Sequence, residues 1–399
     1  MLPPEPPADP GMRAVHDRAK AWALHRTGDS ATAAALALDA WERETTAEPV
    51  DGLLHPAGHL VVAALAQLEC GEPEAARATA ALGRDRSIAQ GVHFQAAWLA
   101  WTVATIELVT GFAEDAAGAF TELAATSHRH GFGQVERMAA LGMTEACALR
   151  GDEEPSLQWL ARADALQPAP DAYAPVEVVA RAWAAAVSGD RAGGAAQLRR
   201  EAEELAARGE LRDAVMLADE AVLFGDTAVV DWLLGLLDEI DTPVSRARRA
   251  RALAARSGDP DDLLEAAEAF AACGFVHSAA VLCVEAAAGL RRGGQARAAS
   301  AAEVRGRGFA ERSPGLVIAG LAESATPVGL TPREREIAEL ASRSRTSKDI
   351  ASALVLSVRT VDNHLSNVYM KLGVTSRGEL AGALSGTAAV PAQQRGPSR

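Results

Sequence analysis

Leu330-Thr-Pro-Arg-Glu-Arg-Glu-Ile337, followed by Asp349-Ile350-Ala351, Ser357-Val358-Arg359-Thr360-Val361, His364-Leu365 and Lys371-Leu372-Gly373-Val374, is the stretch whose spacing decides the fold near the C-terminus. Thr331 is placed to cap a helix, Glu334 follows three residues on to reach back to its amide, and Pro332 suits the first helical position. Ile337, Leu340 and Ala341 then give that helix one apolar face. A second short helix is predicted to begin near Thr346 or Ser347, with Asp349 in its first turn and Ile350, Ala351 and Leu354 on one side. Ser357 is the expected N-cap of a third helix that runs to Leu372 and stops at Gly373. Val358, Val361, Leu365, Val368 and Leu372 form its apolar stripe; Arg359, Asp362, Asn363, Ser366 and Met370 project from the opposite side, flanked by Thr360, His364, Asn367 and Lys371. Ser376 and Glu379 repeat the capping spacing and open a fourth helix carrying Leu380, Ala381 and Leu384. Four short helices around a small core, one of them with a polar outer face, suit a DNA reader, because a helix in the major groove needs polar side chains toward base edges and phosphates.

The segment resembles the helix-turn-helix domain of the LuxR-type transcription regulators. The resemblance is carried by Leu330-Thr331-x-Arg333-Glu334-x-Glu336, Ile350-Ala351, Ser357-x-x-Thr360-Val361-x-x-His364, Lys371-Leu372-Gly373-Val374 and Ser376-Arg377. It implies that the helix from Val358 to Leu372 is the recognition helix, with Asp362, Asn363 and Ser366 facing bases and Thr360, Lys371 and Arg377 near phosphates. Arg359 and Asn367, on the same polar rows, complete the candidate DNA-binding set. The resemblance also implies a dimer on double-stranded DNA, paired in part through Leu380, Ala383 and Leu384. Two positions depart from the family pattern. Ser344 stands where relatives usually have glycine, and Asp362 stands where several have lysine; a carboxylate there can accept from a cytosine amino group but repels phosphate.

The chain has 399 residues, 49% of them hydrophobic, and a formal net charge of −14. Its length allows two or three domains with sizeable cores. The charge is unevenly spread: the balance from Leu330 to Leu384 is about +2, and Arg395 and Arg399 add two more, so about −18 falls on everything before Leu330. An acidic body excludes a general nucleic-acid coat and leaves DNA contact to the end of the chain. Cys70, Cys147, Cys273 and Cys283 are scattered without a Cys-x-x-Cys pair and read as reduced, buried thiols. The N-terminus has neither a basic n-region nor an apolar h-region, and no run reaches the ~18 to 20 apolar residues of a membrane span, so a cytoplasmic protein without membrane contact is expected.

Up to about Ala322 the residues favour helix throughout. Turn signals at Gly28-Asp29, Gly71-Glu72, Gly111-Phe112, Gly151-Asp152, Gly189-Asp190, Gly225-Asp226, Gly258-Asp259 and Gly293-Gly294 recur roughly every 33 to 43 residues, the period of helical-hairpin solenoids. Small residues follow each turn and allow close packing of the partner helix. The pattern loosely resembles tetratricopeptide-type repeats, though most aromatic positions of that consensus are absent and other α-solenoids share the pattern. Trp98 and Trp101, one helical turn apart, read as core packing or as the lining of a groove. His55 and His59 have the spacing of a metal pair, but Pro56 and Gly58 break the helix between them, so no metal site is expected.

The expected organisation is all-α: a tetratricopeptide-like helical-repeat domain over 1–322, a linker over 323–329, a four-helix LuxR-type domain over 330–386 and a disordered tail over 387–399. There is no Gly-x-x-x-x-Gly-Lys-Ser/Thr loop, nucleophile elbow or paired-carboxylate site, so neither an enzyme nor a cofactor is expected. The chain is similar to the helical-repeat and DNA-binding parts of the large ATP-binding, maltose-regulator-like LuxR proteins, without their ATPase domain. The favoured function is a sequence-specific transcription regulator whose repeats offer a concave surface to a protein partner or small effector. The alternative is a protein-interaction scaffold whose terminal domain no longer binds DNA.

Overall fold

Left-handed glycine turns set the architecture of the helical body. The structure, a computed structural model, describes residues 7–46, 55–168, 171–313, 332–343, 345–354, 356–372, 377 and 380. The chain divides into two compact units, Met1–Ile318 and Ala319–Arg399. In the first unit, helices pair as α1 (Pro10–Thr27) with α2 (Ser30–Thr46), α3 (His59–Glu69) with α4 (Pro73–Ala89), α5 (His93–Thr110) with α6 (Ala113–His130) and α7 (Gly133–Leu149) with α8 (Glu153–Asp164). The series continues with α9 (Ala174–Val187) and α10 (Arg191–Ala207), α11 (Leu211–Leu223) and α12 (Val230–Leu236), α13 (Pro243–Ser257) and α14 (Pro260–Ala272), and α15 (Val276–Arg292) and α16 (Ala296–Ala310). Each turn read from the sequence lies between an odd-numbered helix and the even-numbered helix after it. The repeat is thus a helical hairpin, as the period predicts.

The hairpins do not form an open array. Odd-numbered helices pack on one another from α1 to α13 and form the inner row, while even-numbered helices pack on their neighbours in sequence. The inner row curls until α1 meets α11, α3 meets α13 and α5 meets α15. The concave face expected from the repeat is therefore an interior. Glycine is required along this seam on two counts. Gly28 has φ +102° and Gly111 φ +104°, and a Cβ at Gly28 would stand 2.7 Å from Ile240 Cγ1, while one at Gly111 would stand 3.0 Å from the His277 amide nitrogen.

A buried ion-pair cluster spans the same seam. Glu69 of α3 accepts from Arg248 of α13 at 2.9 and 3.0 Å and from Arg212 of α11 at 3.0 Å. Asp219 accepts from Arg251 Nε at 2.8 Å, and the Arg251 guanidinium lies 4.4 Å from the centre of the Phe270 ring. Arg26 of α1 pairs with Asp213 and Glu210. Burial alone would raise the Glu69 carboxyl, but Arg248 and Arg212 outweigh it and hold the group at about 2. Cys147, Cys273 and Cys283 are buried, Cys70 is half-buried, and all four are free thiols.

The terminal unit contains helices Pro332–Ser342, Ser347–Leu354 and Val358–Leu372. Ile337, Ala338, Ala341, Ile350, Val361 and Leu365 meet in one apolar core with Val368 and Leu380. Each large side chain so buried contributes roughly 1.5–3 kcal/mol. Val358 departs from its expected place in the apolar stripe: it is 45% exposed. It occupies the first helical position, about 60° from Val361 around the axis at ~100° per residue, and so falls off the edge of the packed face. The Thr331 cap, the linker expected at 323–329, the tail expected at 387–399, Ser344, Gly373 and most of the fourth helix lie outside the described residues. No helix among the described residues is long and apolar enough to cross a membrane.

Candidate nucleic-acid interface

The Val358–Leu372 helix is fixed at its start by Ser357, whose Oγ accepts from the Thr360 amide at 3.1 Å. Thr360, expected near phosphate, also brings its hydroxyl to 2.7 Å from Ser357 Oγ, so it helps form the cap while staying partly exposed. The preceding helix has a reciprocal cap. Thr346 Oγ1 accepts from the Asp349 amide at 3.2 Å, and Asp349 Oδ2 accepts from the Thr346 amide at 3.2 Å and from its hydroxyl at 2.6 Å. Those bonds from Thr346 hold the Asp349 carboxyl below the usual carboxylate range. At the other end of this helix, Arg333 Nη2 donates to the Leu354 carbonyl at 2.7 Å and ties the first helix to the second. The Leu356 amide donates to the Ala351 carbonyl at 2.9 Å and closes the turn before the third helix.

With both ends of the turn fixed, the faces of the third helix separate cleanly. Val361 and Val368 are completely buried and Leu365 nearly so, while Arg359, Asp362, Asn363 and Ser366 are exposed. Those four side chains span about 10 Å along the axis at ~1.5 Å per residue. The side chains of Asn367 and Lys371 lie outside the described residues. Arg377 is turned partly inward: it is half-buried, its Nη2 is 3.4 Å from Ser347 Oγ and its Nε is buried without a protein partner. Leu380, expected to help pair two copies, is completely buried in the unit's own core. Burying an apolar residue there stabilises the unit itself; Ala383 and Leu384 lie outside the described residues. The positioning role of Arg333 was invisible in the sequence, because its acceptor is a backbone carbonyl 21 residues away.

Short helices on a common core, the last two joined by a tight turn and the last of them presenting a polar face, define a helix-turn-helix protein. Residues 328–383 match the family described as bacterial regulatory proteins, luxR family. Spore germination protein GerE of Bacillus subtilis is 52% identical over 50 residues, 12% of this chain and 68% of that protein. The chain belongs to the luxR family of bacterial regulatory proteins. A Mycobacterium bovis protein whose name assigns it to the HTH-type transcriptional regulators is 51% identical over 51 residues, and response regulator Rre1 of Synechocystis is 38% identical over 63. The matched stretch spans only 6% and 27% of those two relatives. Over 80% of this chain and 76% of the other, the Rap conjugation gene regulator of plasmid pLS20, solved with the Phr* peptide, gives a TM-score of 0.40 at 10% identity.

Proposed function

We propose that the protein is a sequence-specific DNA-binding transcription regulator whose Val358–Leu372 helix enters the major groove. Asp362, Asn363 and Ser366 face base edges over about three base pairs of ~3.4 Å rise, with Arg359, Thr360, Asn367, Lys371 and Arg377 toward the backbone. The observation that carries this reading is the separation of faces on that helix, with Val361, Leu365 and Val368 inside and Arg359, Asp362, Asn363 and Ser366 exposed. The capped start of the helix adds amide groups suited to a phosphate. Two copies would read half-sites one helical turn apart, about 34 Å. The helical body is the input module, which biases DNA binding through what it binds.

Salt-titrated binding to promoter DNA tests the reading. Asn363→Ala should cost about 1–3 kcal/mol on the preferred sequence and little on random DNA. Lys371→Ala should weaken both alike and make the salt slope shallower by about one. A scaffold with a DNA-inactive terminal unit would show neither effect.

A further inference from the structure

The interior of the helical body holds a partly open cavity of about 160 Å³. An apolar cavity of about 150 Å³ accepts benzene, so the space suits one ring with a short substituent. Trp22, Trp101, Tyr173 and Trp183 contribute to its walls, with Tyr173 edge-on to Trp22 at 5.8 Å and to Trp101 at 5.2 Å. Aromatic faces attract cations through their quadrupole.

The charges around this space do not cancel. Arg26, Arg212, Arg248 and Arg251 are matched by Glu69, Glu210, Asp213 and Asp219 through the pairs described above. That leaves Glu145 of α7 and Glu220 of α11, which both line the cavity. Burial, together with the charge of Glu220, pushes the Glu145 carboxyl up to about 8. Burial raises Glu220 to about 7 against the pull of Arg251 and Arg248, with Asp219 adding to the rise. His277, also on the lining, supplies no positive charge at neutral pH, because burial and then Arg251 hold it at about 4. Three residues of the lining carry a buried polar atom without a protein partner: Trp101 Nε1, Arg251 Nη1 and Glu220 Oε2. Trp101 is 2% and Arg251 4% exposed, so hydrogen-bonding capacity of this kind is costly unless a ligand or water uses it.

We propose that this cavity is a binding site for a small organic ammonium ion carrying an aromatic ring, with the ammonium group set against Glu145 and Glu220. A cation supplies the charge these carboxyls lack, the ring fills the aromatic walls, and an oxygen on the ring can accept from Trp101 Nε1 or Arg251 Nη1. An anion would oppose ionisation of both carboxyls, and a neutral ligand would gain nothing from it. The proposal deepens, and in calling the ligand an effector rests on, the reading of the body as the input module.

The test is calorimetric titration of the full chain, without DNA, by three probes of one size: tyramine, its neutral alcohol analogue tyrosol, and 4-hydroxyphenylacetate. Tyramine should bind at least tenfold more tightly than tyrosol, and 4-hydroxyphenylacetate should bind no better than tyrosol. At pH 6.5, titration in buffers of different ionisation enthalpy should show close to one proton released per tyramine, since its charge favours ionised carboxyls. Glu145→Gln and Glu220→Gln should each weaken tyramine at least tenfold while leaving tyrosol binding unchanged, which also shows that the cavity is intact. Equal binding of tyrosol or the anion, unchanged tyramine binding in both variants, or no binding by any probe would overturn the proposal. DNA binding measured on the same preparation keeps the outcomes apart: a regulator that binds DNA but not tyramine refutes this site alone.

Discussion

Glu69→Gln tests whether the helical body is a closed turn. Glutamine resembles the protonated acid in size and charge, so its cost is close to the free energy by which the fold favours ionised Glu69. The carboxyl is held at about 2 against a reference of 4.5. At ~1.36 kcal/mol per unit the difference is about 3 kcal/mol at pH 7, which agrees with the ~3–5 kcal/mol expected when one member of a buried ion pair is removed. At ~2.1 cal/mol/K per residue this corresponds to a fall of about 5 °C in the melting temperature of the body. A depressed carboxylate contributes stability that is present above 4.5 and lost as pH falls toward 2. Thermal unfolding followed by circular dichroism at pH 7 and pH 3 should therefore show the gap between the native protein and the variant shrinking to less than half at pH 3. Equal melting temperatures at pH 7, or a gap that does not change with pH, would show that Glu69 does not hold α3 to α11 and α13.

Leu365→Ala should destabilise the terminal unit by about 3 kcal/mol, whereas Val358→Ala should stay within about 0.5, as differential scanning calorimetry can resolve. Glu145→Gln should have the opposite sign to Glu69→Gln. Burial and Glu220 raise the Glu145 carboxyl from 4.5 to about 8, so the native protein loses stability as pH rises across that range, and the variant should gain on the order of 2 kcal/mol at pH 7 but almost nothing at pH 4.5. Urea unfolding at the two pH values checks this. Arg333→Ala, which removes a charged donor from the Leu354 carbonyl, should cost about 1.5 kcal/mol or more and weaken DNA binding, read by gel shift.

Local chemistry made much of the fold legible. The Ser357 cap, the burial of Val361, Leu365 and Val368, and the glycine turns of each hairpin follow from side chains that act within one or two helical turns. What the sequence hid depends on distant partners. Glu69 and Arg248 are 179 residues apart, so hairpin periodicity could place each on a helix but could not show that the array curls back until they meet. The unmatched pair Glu145 and Glu220 was hidden for the same reason. A local stripe likewise misplaced Val358, which sits at the first helical position beyond the edge of the packed face. Arg377 and Leu380 were given their roles by resemblance; the Arg377 side chain is half-buried beside Ser347, and Leu380 lies in the core of the unit, contacts with residues about 30 and more positions away that no local pattern shows.

The most direct measurement is selection of bound DNA from a random library with the native chain and with Asn363→Ala. If the exposed face of the Val358–Leu372 helix reads bases, the native chain enriches one consensus with two related half-sites, and the variant relaxes preference at one base pair of each while the other positions hold. Enrichment of no consensus, or the same consensus at every position from the variant, would contradict the assignment of that helix to the groove.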